Sequence, residues 1–199
     1  MKSLYESLLD DEDKILDDTS KSIKDLIKDF LRENYENGNL CKISSKPNKD
    51  GKYIVNSEFA VSMQSTDCTS LTNGYFIFGT VKGNFDCSYC KNLTSLEGAP
   101  EKVGRNFVCY HCPKLTSLEG GPNYVERDFD CCCCPKLTSL EGGPKEVGGH
   151  FFCHGCSQLK NLEGAPKNVG RDFYCKECGG KFTKEDVKRV SVVKDKIHV

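Results

Sequence analysis

Tryptophan is absent from this chain, methionine occurs twice in 199 residues, and the 28 basic and 29 acidic side chains nearly cancel. No uninterrupted apolar run reaches the length of a membrane-spanning helix. Each absence excludes something. Without such a run, no helix crosses a bilayer. With a net charge of −1 there is no global basic field to hold nucleic acid or an anionic membrane surface. The opening MKSLYESLLDDEDKILDD has neither the basic start nor the long apolar centre of an export signal, so the protein is not expected to be secreted by its own signal. The expected compartment is a reducing cytosol, where 14 cysteines point to free thiols or metal rather than to a disulfide framework. Catalytic signatures are missing too. There is no phosphate-binding glycine loop, no H-E-x-x-H and no nucleophile–base–orienter arrangement, and the chain is not expected to be an enzyme.

What the chain does have is a 22-residue period. Phe85, Phe107, Phe129, Phe151 and Phe173 are in register. So are Cys87, Cys109, Cys131, Cys153 and Cys175, and a longer series from Cys68 through Cys90, Cys112, Cys134 and Cys156 to Cys178. Leucines from Leu71 and Leu96, prolines from Pro100 and valines from Val81 share the period. The unit reads F-x-C-x-x-C-x-x-L-T-S-L-E-G-(A/G)-P-x-x-V. It is too short for two helices and fits one coil of a solenoid. The F-x-C segment has period-2 spacing and predicts a short strand, stacked coil on coil into a parallel sheet. E-G-A-P and E-G-G-P break the chain opposite. The far side is expected to hold turns, extended pieces or short 3₁₀ segments.

The unit resembles a leucine-rich repeat, with Phe and Cys at two leucine positions and Cys at the Asn/Cys position. LTSLEGAP is similar to the LTSLPxLP segment of short bacterial leucine-rich repeats. The likeness covers roughly residues 60 to 178. It implies a leucine-rich-repeat-like solenoid, mainly β, right-handed and of about six coils, with short helical caps at both ends. Solenoids of this type mostly bind proteins through surface residues. SKPNKDGKYIVNS, TSLTNGYFIFGTVKGNFDCSYCKNLTSLEGAP and the opening MKSLYES further resemble repeat proteins of tailed phages of gut Bacteroidales, including crAss-like phages. That likeness implies a source and a host bacterial cytoplasm or a virion as the setting. It implies no mechanism.

The flanks organise around the repeats. Residues 1 to 36 hold an acidic segment and an amphipathic helix. Leu4, Tyr5, Leu8 and Leu9 precede the acidic run, which reads as mobile or weakly helical. Over residues 20 to 35, Ile23, Leu26, Ile27, Phe30 and Leu31 fall on one face, as in a helix that caps the first coil or docks a partner. Residues 37 to 58 lead in, with a turn at NKDGK. The solenoid runs from 59 to 180, residues 59 to 81 being a degenerate first coil. Residues 181 to 199 form a second cap, with a capping-box pattern at Thr183 and Asp186, a short helix and a strand at KIHV.

The stretch DFDCCCCPK, residues 128 to 136, divides by the same period. Cys131 and Cys134 belong to the repeat columns, while Cys132 and Cys133 are surface insertions. For the column thiols three readings stay open. They form a buried ladder whose S–H groups reach backbone carbonyls, a zinc centre built from C-x-x-C half-sites, or disulfides between coils. Carried over from leucine-rich repeats, the residues flanking the buried strand positions point to the open, concave face. They include Asp86, Tyr89, Val108, Tyr110, His111, Asp130, Cys132, Cys133, Phe152, His154 and Tyr174. Tyr and Phe on an exposed sheet anchor partners, or else pack on one another across strands. His111, Cys132, Cys133 and His154 lie on adjacent coils and are the candidates for a mixed metal site. No cofactor is otherwise expected. The function expected is non-catalytic binding of a host or defence protein. The alternatives are a virion-associated cargo protein addressed by its N-terminal segment, and a small-ligand or nucleotide sponge. Exposed solenoid edges leave a homo-dimer open.

Overall fold

The computed structural model describes residues 21–63 and 67–199. The apolar and acidic opening, residues 1 to 18, lies outside them. Helix α1 (Ile23–Asn34) begins where Ser22 Oγ accepts the Asp25 amide at 3.2 Å, an N-cap that satisfies one orphan donor of the first turn. The apolar face read from the sequence is the face it buries. Ile27 and Leu31 are inaccessible, Ile23 and Phe30 pack at the rim, and the Phe30 ring meets Phe76 edge-on at 5.9 Å. The helix therefore covers the N-terminal end of the core.

Five strands follow: β1 (Tyr35–Glu36), β2 (Lys42–Ile43), β3 (Tyr53–Ser57), β4 (Val61–Met63) and β5 (Phe76–Val81). The NKDGK turn forms around Asn48, whose side chain accepts the amides of Asp50 and Lys52. From there each coil contributes two strands of two residues. These are β6 (Phe85–Asp86), β7 (Lys102–Val103), β8 (Phe107–Val108), β9 (Tyr124–Val125), β10 (Phe129–Asp130), β11 (Glu146–Val147), β12 (Phe151–Phe152), β13 (Asn168–Val169) and β14 (Phe173–Tyr174). Helix α2 (Lys184–Val190), β15 (Val192–Val193) and β16 (Ile197–His198) complete the fold. The capping box is present, with Thr183 Oγ1 accepting the Asp186 amide and the Asp186 carboxylate accepting the Thr183 amide. The strand expected at KIHV is β16, which extends the first sheet.

Two eight-stranded sheets result. The first runs β1-β4-β6-β8-β10-β12-β14-β16, the second β15-β13-β11-β9-β7-β5-β3-β2. Pairing is parallel throughout except at the N-terminal edge, where β1 and β2 pair antiparallel with β4 and β3. The molecule is thus a mainly β solenoid of about six turns, with two short α-helices among the described residues. Where turns, extended pieces or short 3₁₀ segments are expected from the sequence, the far side carries a second, continuous sheet. Each of the repeated strands there holds one inward residue, Val103, Val125, Val147 or Val169, so no alternation marks it. The flanking Pro and Gly make the segment read as a turn.

The core is made of columns. The rings of Phe85, Phe107, Phe129 and Phe151 stack at centroid spacings of 5.3, 5.3 and 5.6 Å, within 17° of parallel. Leucines of the T-S-L side and valines of the second sheet close around them, all inaccessible or nearly so. Glycine is required at the break after that side. Gly142 sits at φ 81°, and a Cβ there would lie 2.3 Å from Glu119 Cα of the previous coil.

Candidate functional site

The outer surface of the first sheet carries the residues singled out in the sequence. Strand pairing sets Asp86, Val108, Asp130, Phe152, Tyr174 and His198 side by side in one row, one residue per coil, at the strand spacing of about 4.8 Å. Every member of that row is half-buried. A second row runs one step upstream and is a hydrogen-bond ladder. The side chains of Asn84, Asn106, Asp128, His150 and Asp172 each accept the backbone N–H of the equivalent residue one coil on, at 2.7 to 3.3 Å. These polar side chains thereby satisfy backbone donors that the two-residue strands leave over.

The aromatic side chains on this surface pack on one another. Phe152 stacks on Tyr174 at 4.7 Å, and Tyr174 on His198 at 4.2 Å with the rings 2° from parallel. Tyr89 stacks on His111 at 5.4 Å, and the Tyr110 hydroxyl donates to the Tyr89 hydroxyl at 2.8 Å. That bond pushes the Tyr110 phenol up to about 12. All four histidines of the chain, His111, His150, His154 and His198, lie on this face or its corner. Asp172 gathers two of them. It accepts the Lys196 amide at 2.8 Å and the Tyr174 hydroxyl at 2.9 Å, with His198 Nε2 at 3.3 Å and His150 Nδ1 at 3.9 Å. The Lys196 amide first, then the Tyr174 hydroxyl and His198, hold its carboxyl down at about 2.

The downstream corner of the face is left-handed in the five repeats that begin at Phe85, Phe107, Phe129, Phe151 and Phe173. Tyr89, His111, Cys133 and Glu177 have φ of 59°, 54°, 54° and 56°, and the matching residue of the remaining coil is Gly155 at 70°. An L-residue held there costs roughly 1 to 2 kcal/mol that glycine avoids. Four coils nevertheless keep a side chain. This corner is not legible in the sequence, because only Gly155 carries its signal.

The four consecutive cysteines are not one chemical unit. Cys131 and Cys134 point into the core and are inaccessible. Cys112, Cys134, Cys156 and Cys178 donate S–H to the carbonyls of Cys87, Cys109, Cys131 and Cys153 at 3.2 to 3.4 Å, one ladder running coil to coil. Burial raises the inner thiols of Cys87, Cys109, Cys131 and Cys153 well above the ordinary thiol value. All the cysteines described are free. Cys132 departs from its reading as a surface insertion. It is 4% exposed, because His154 of the next coil lies over it with Nδ1 3.0 Å from its Sγ. Burial, and then the Asp130 carboxylate, raise its thiol far above the usual range, which keeps it protonated beside the imidazole. Of the four metal candidates the structure brings together these two. Among the described residues no three His, Cys, Asp or Glu side chains gather in a metal-binding arrangement. Among the same residues no helix is long and apolar enough to cross a membrane.

Set against known protein families, curated proteins and solved structures, the chain has no match. The surface itself is therefore what a functional reading has to rest on.

Proposed function

We propose that this solenoid is a non-catalytic scaffold that binds a protein partner through the outer face of its first sheet. One observation carries the reading. The inward columns repeat Phe, Cys and Leu coil after coil, whereas the outward row changes at each step, from Asp86 to Val108, Asp130, Phe152, Tyr174 and His198. A constant core holds a varied row in fixed register, which pre-organises it and lowers the entropic cost of binding. The chemistry suits a protein. Half-buried aromatics flanked by carboxylates and imidazoles offer anchors with a polar rim. A thiolate nucleophile is disfavoured, since Cys132 is covered and its thiol held protonated. The setting we favour is the bacterial cytoplasm implied by the phage resemblance, with a host or defence protein as target.

The test is an affinity capture from the lysate of a gut Bacteroidales host. The native protein is compared with an Asp130→Lys/Phe152→Ala/Tyr174→Ala variant of unchanged melting temperature. A partner retained only by the native protein supports the reading. Equal capture by both proteins, or none by either, sinks it.

A further inference from the structure

The left-handed corner borders a shallow and mostly apolar groove lined by Tyr89, Lys91, His111, Pro113, Cys133 and Pro135. Its floor crosses three coils, and Tyr89 is 51% exposed there. Three of the lining residues, Tyr89, His111 and Cys133, are among those that hold a side chain at positive φ. One edge of the groove is basic. Lys91 lines it, and the exposed Lys114 and Lys136 each directly follow a lining proline, Pro113 and Pro135. Lys91 reaches Asp67 only at 3.7 Å, with both side chains well exposed, a pair of little strength. Lys114 donates to Asn92, and neither it nor Lys136 makes an ion pair among the described residues.

The groove thus asks for an occupant with apolar side chains and negative charge, and the chain carries one. Residues 1 to 20 hold seven carboxylates against two lysines, interleaved with Leu4, Tyr5, Leu8, Leu9, Ile15 and Leu16. Twenty residues reach at most about 66 Å when extended. The groove lies within about four strand spacings, roughly 20 Å, of the N-terminal coil that α1 covers. The segment is long enough, begins at the right end and has the complementary charge. We propose that residues 1 to 20 dock in cis on this groove, with their carboxylates against Lys91, Lys114 and Lys136 and their apolar side chains over Tyr89, His111 and Cys133. The segment then covers one margin of the proposed partner face. This docking can be tested with no partner present.

Cys133 reports on the groove, and Cys178, partly exposed on the last repeat, serves as reference. The full chain is labelled with iodoacetamide at neutral pH and low salt, and alkylation at each cysteine is read by mass spectrometry. The native protein is compared with an Asp10→Asn/Asp11→Asn/Glu12→Gln/Asp13→Asn variant. Docking predicts that the Cys133-to-Cys178 rate ratio rises about threefold or more on neutralisation, as the loss of several exposed ion pairs would give. The native ratio should rise likewise in about 1 M salt, where the screening length is about 3 Å. A Lys114→Glu/Lys136→Glu variant should also expose Cys133, and changing the same four acidic residues to lysine in that background should restore shielding. Equal ratios in the native and neutralised proteins overturn the proposal. So does a native ratio that depends on protein concentration, since the segment would then cover a second copy. Should the groove variant fail to fold, the segment variant decides alone, because it alters no described residue.

Discussion

Asp172 shows how one side chain serves both the stack and the surface. Its Oδ1 ends the ladder by accepting the Lys196 amide, while Oδ2 receives the Tyr174 hydroxyl and faces His198. The folded protein holds this carboxyl at about 2, below the ordinary aspartate value near 3.9. A depressed carboxyl stabilises the fold fully above the ordinary value and loses that contribution as pH falls through about 2. Asp172→Asn keeps an acceptor for Lys196, as Asn84 and Asn106 do in the same column, but removes the charge. Thermal melts from pH 6 down to pH 2 should therefore show native protein more stable by a constant margin down to about pH 4, and the difference shrinking from there toward pH 2. A constant offset across that range would mean the charge is immaterial. The role of this ladder was not legible in the sequence. A side chain that accepts an amide from 22 residues away leaves no local trace.

At the scale of the element, strands of two residues cannot stand alone, since one or two ladder bonds do not offset the entropy of ordering them. What holds them is the stack beneath. Phe129 contacts Phe107 and Phe151 through nearly parallel rings and is inaccessible, whereas Phe152, one residue along the next coil, points outward and is half-buried. Phe129→Ala should cost about 3 to 5 kcal/mol in urea denaturation, a large share of a typical total of about 5 to 15 kcal/mol. Phe152→Ala should cost well under half as much. Similar losses at the two positions would contradict the division into core column and recognition row. That division was legible at once, because Phe recurs with the period in one column and not in the other. The second sheet was not, because Val103, Val125, Val147 and Val169 each stand alone three residues after a Pro, with no alternating partner. The strained corner was hidden for the opposite reason. Tyr89, His111 and Cys133 occupy a conformation that composition associates with glycine, and nothing in their identity reports the sign of φ.

The whole molecule is a linear array in which each coil touches its neighbours, so stability is close to a sum of coils and the interfaces between them. The contacts bear this out: backbone bonds such as Phe107 N–H to Asp128 O and Phe129 N–H to His150 O recur with the period and join successive coils. A deletion that preserves the period should then be accommodated. Removing residues 121–142 joins Gly120 to Gly143 and recreates the motif L-E-G-G-P at the seam. The Phe, Cys, Leu and Val columns stay in register, and the shortened chain should fold with the same circular dichroism per residue and a lower melting temperature. Removing eleven residues, 121–131, puts Phe and Leu columns out of phase and should abolish cooperative unfolding. Equal damage from both deletions would show that the coils depend on contacts beyond their neighbours. The 22-residue deletion also takes Asp130, Cys132 and Cys133 out of the outer face while sparing Phe152 and Tyr174. A partner that still binds the shortened protein must therefore anchor on the aromatic end of the row, and one that is lost must read the acidic centre.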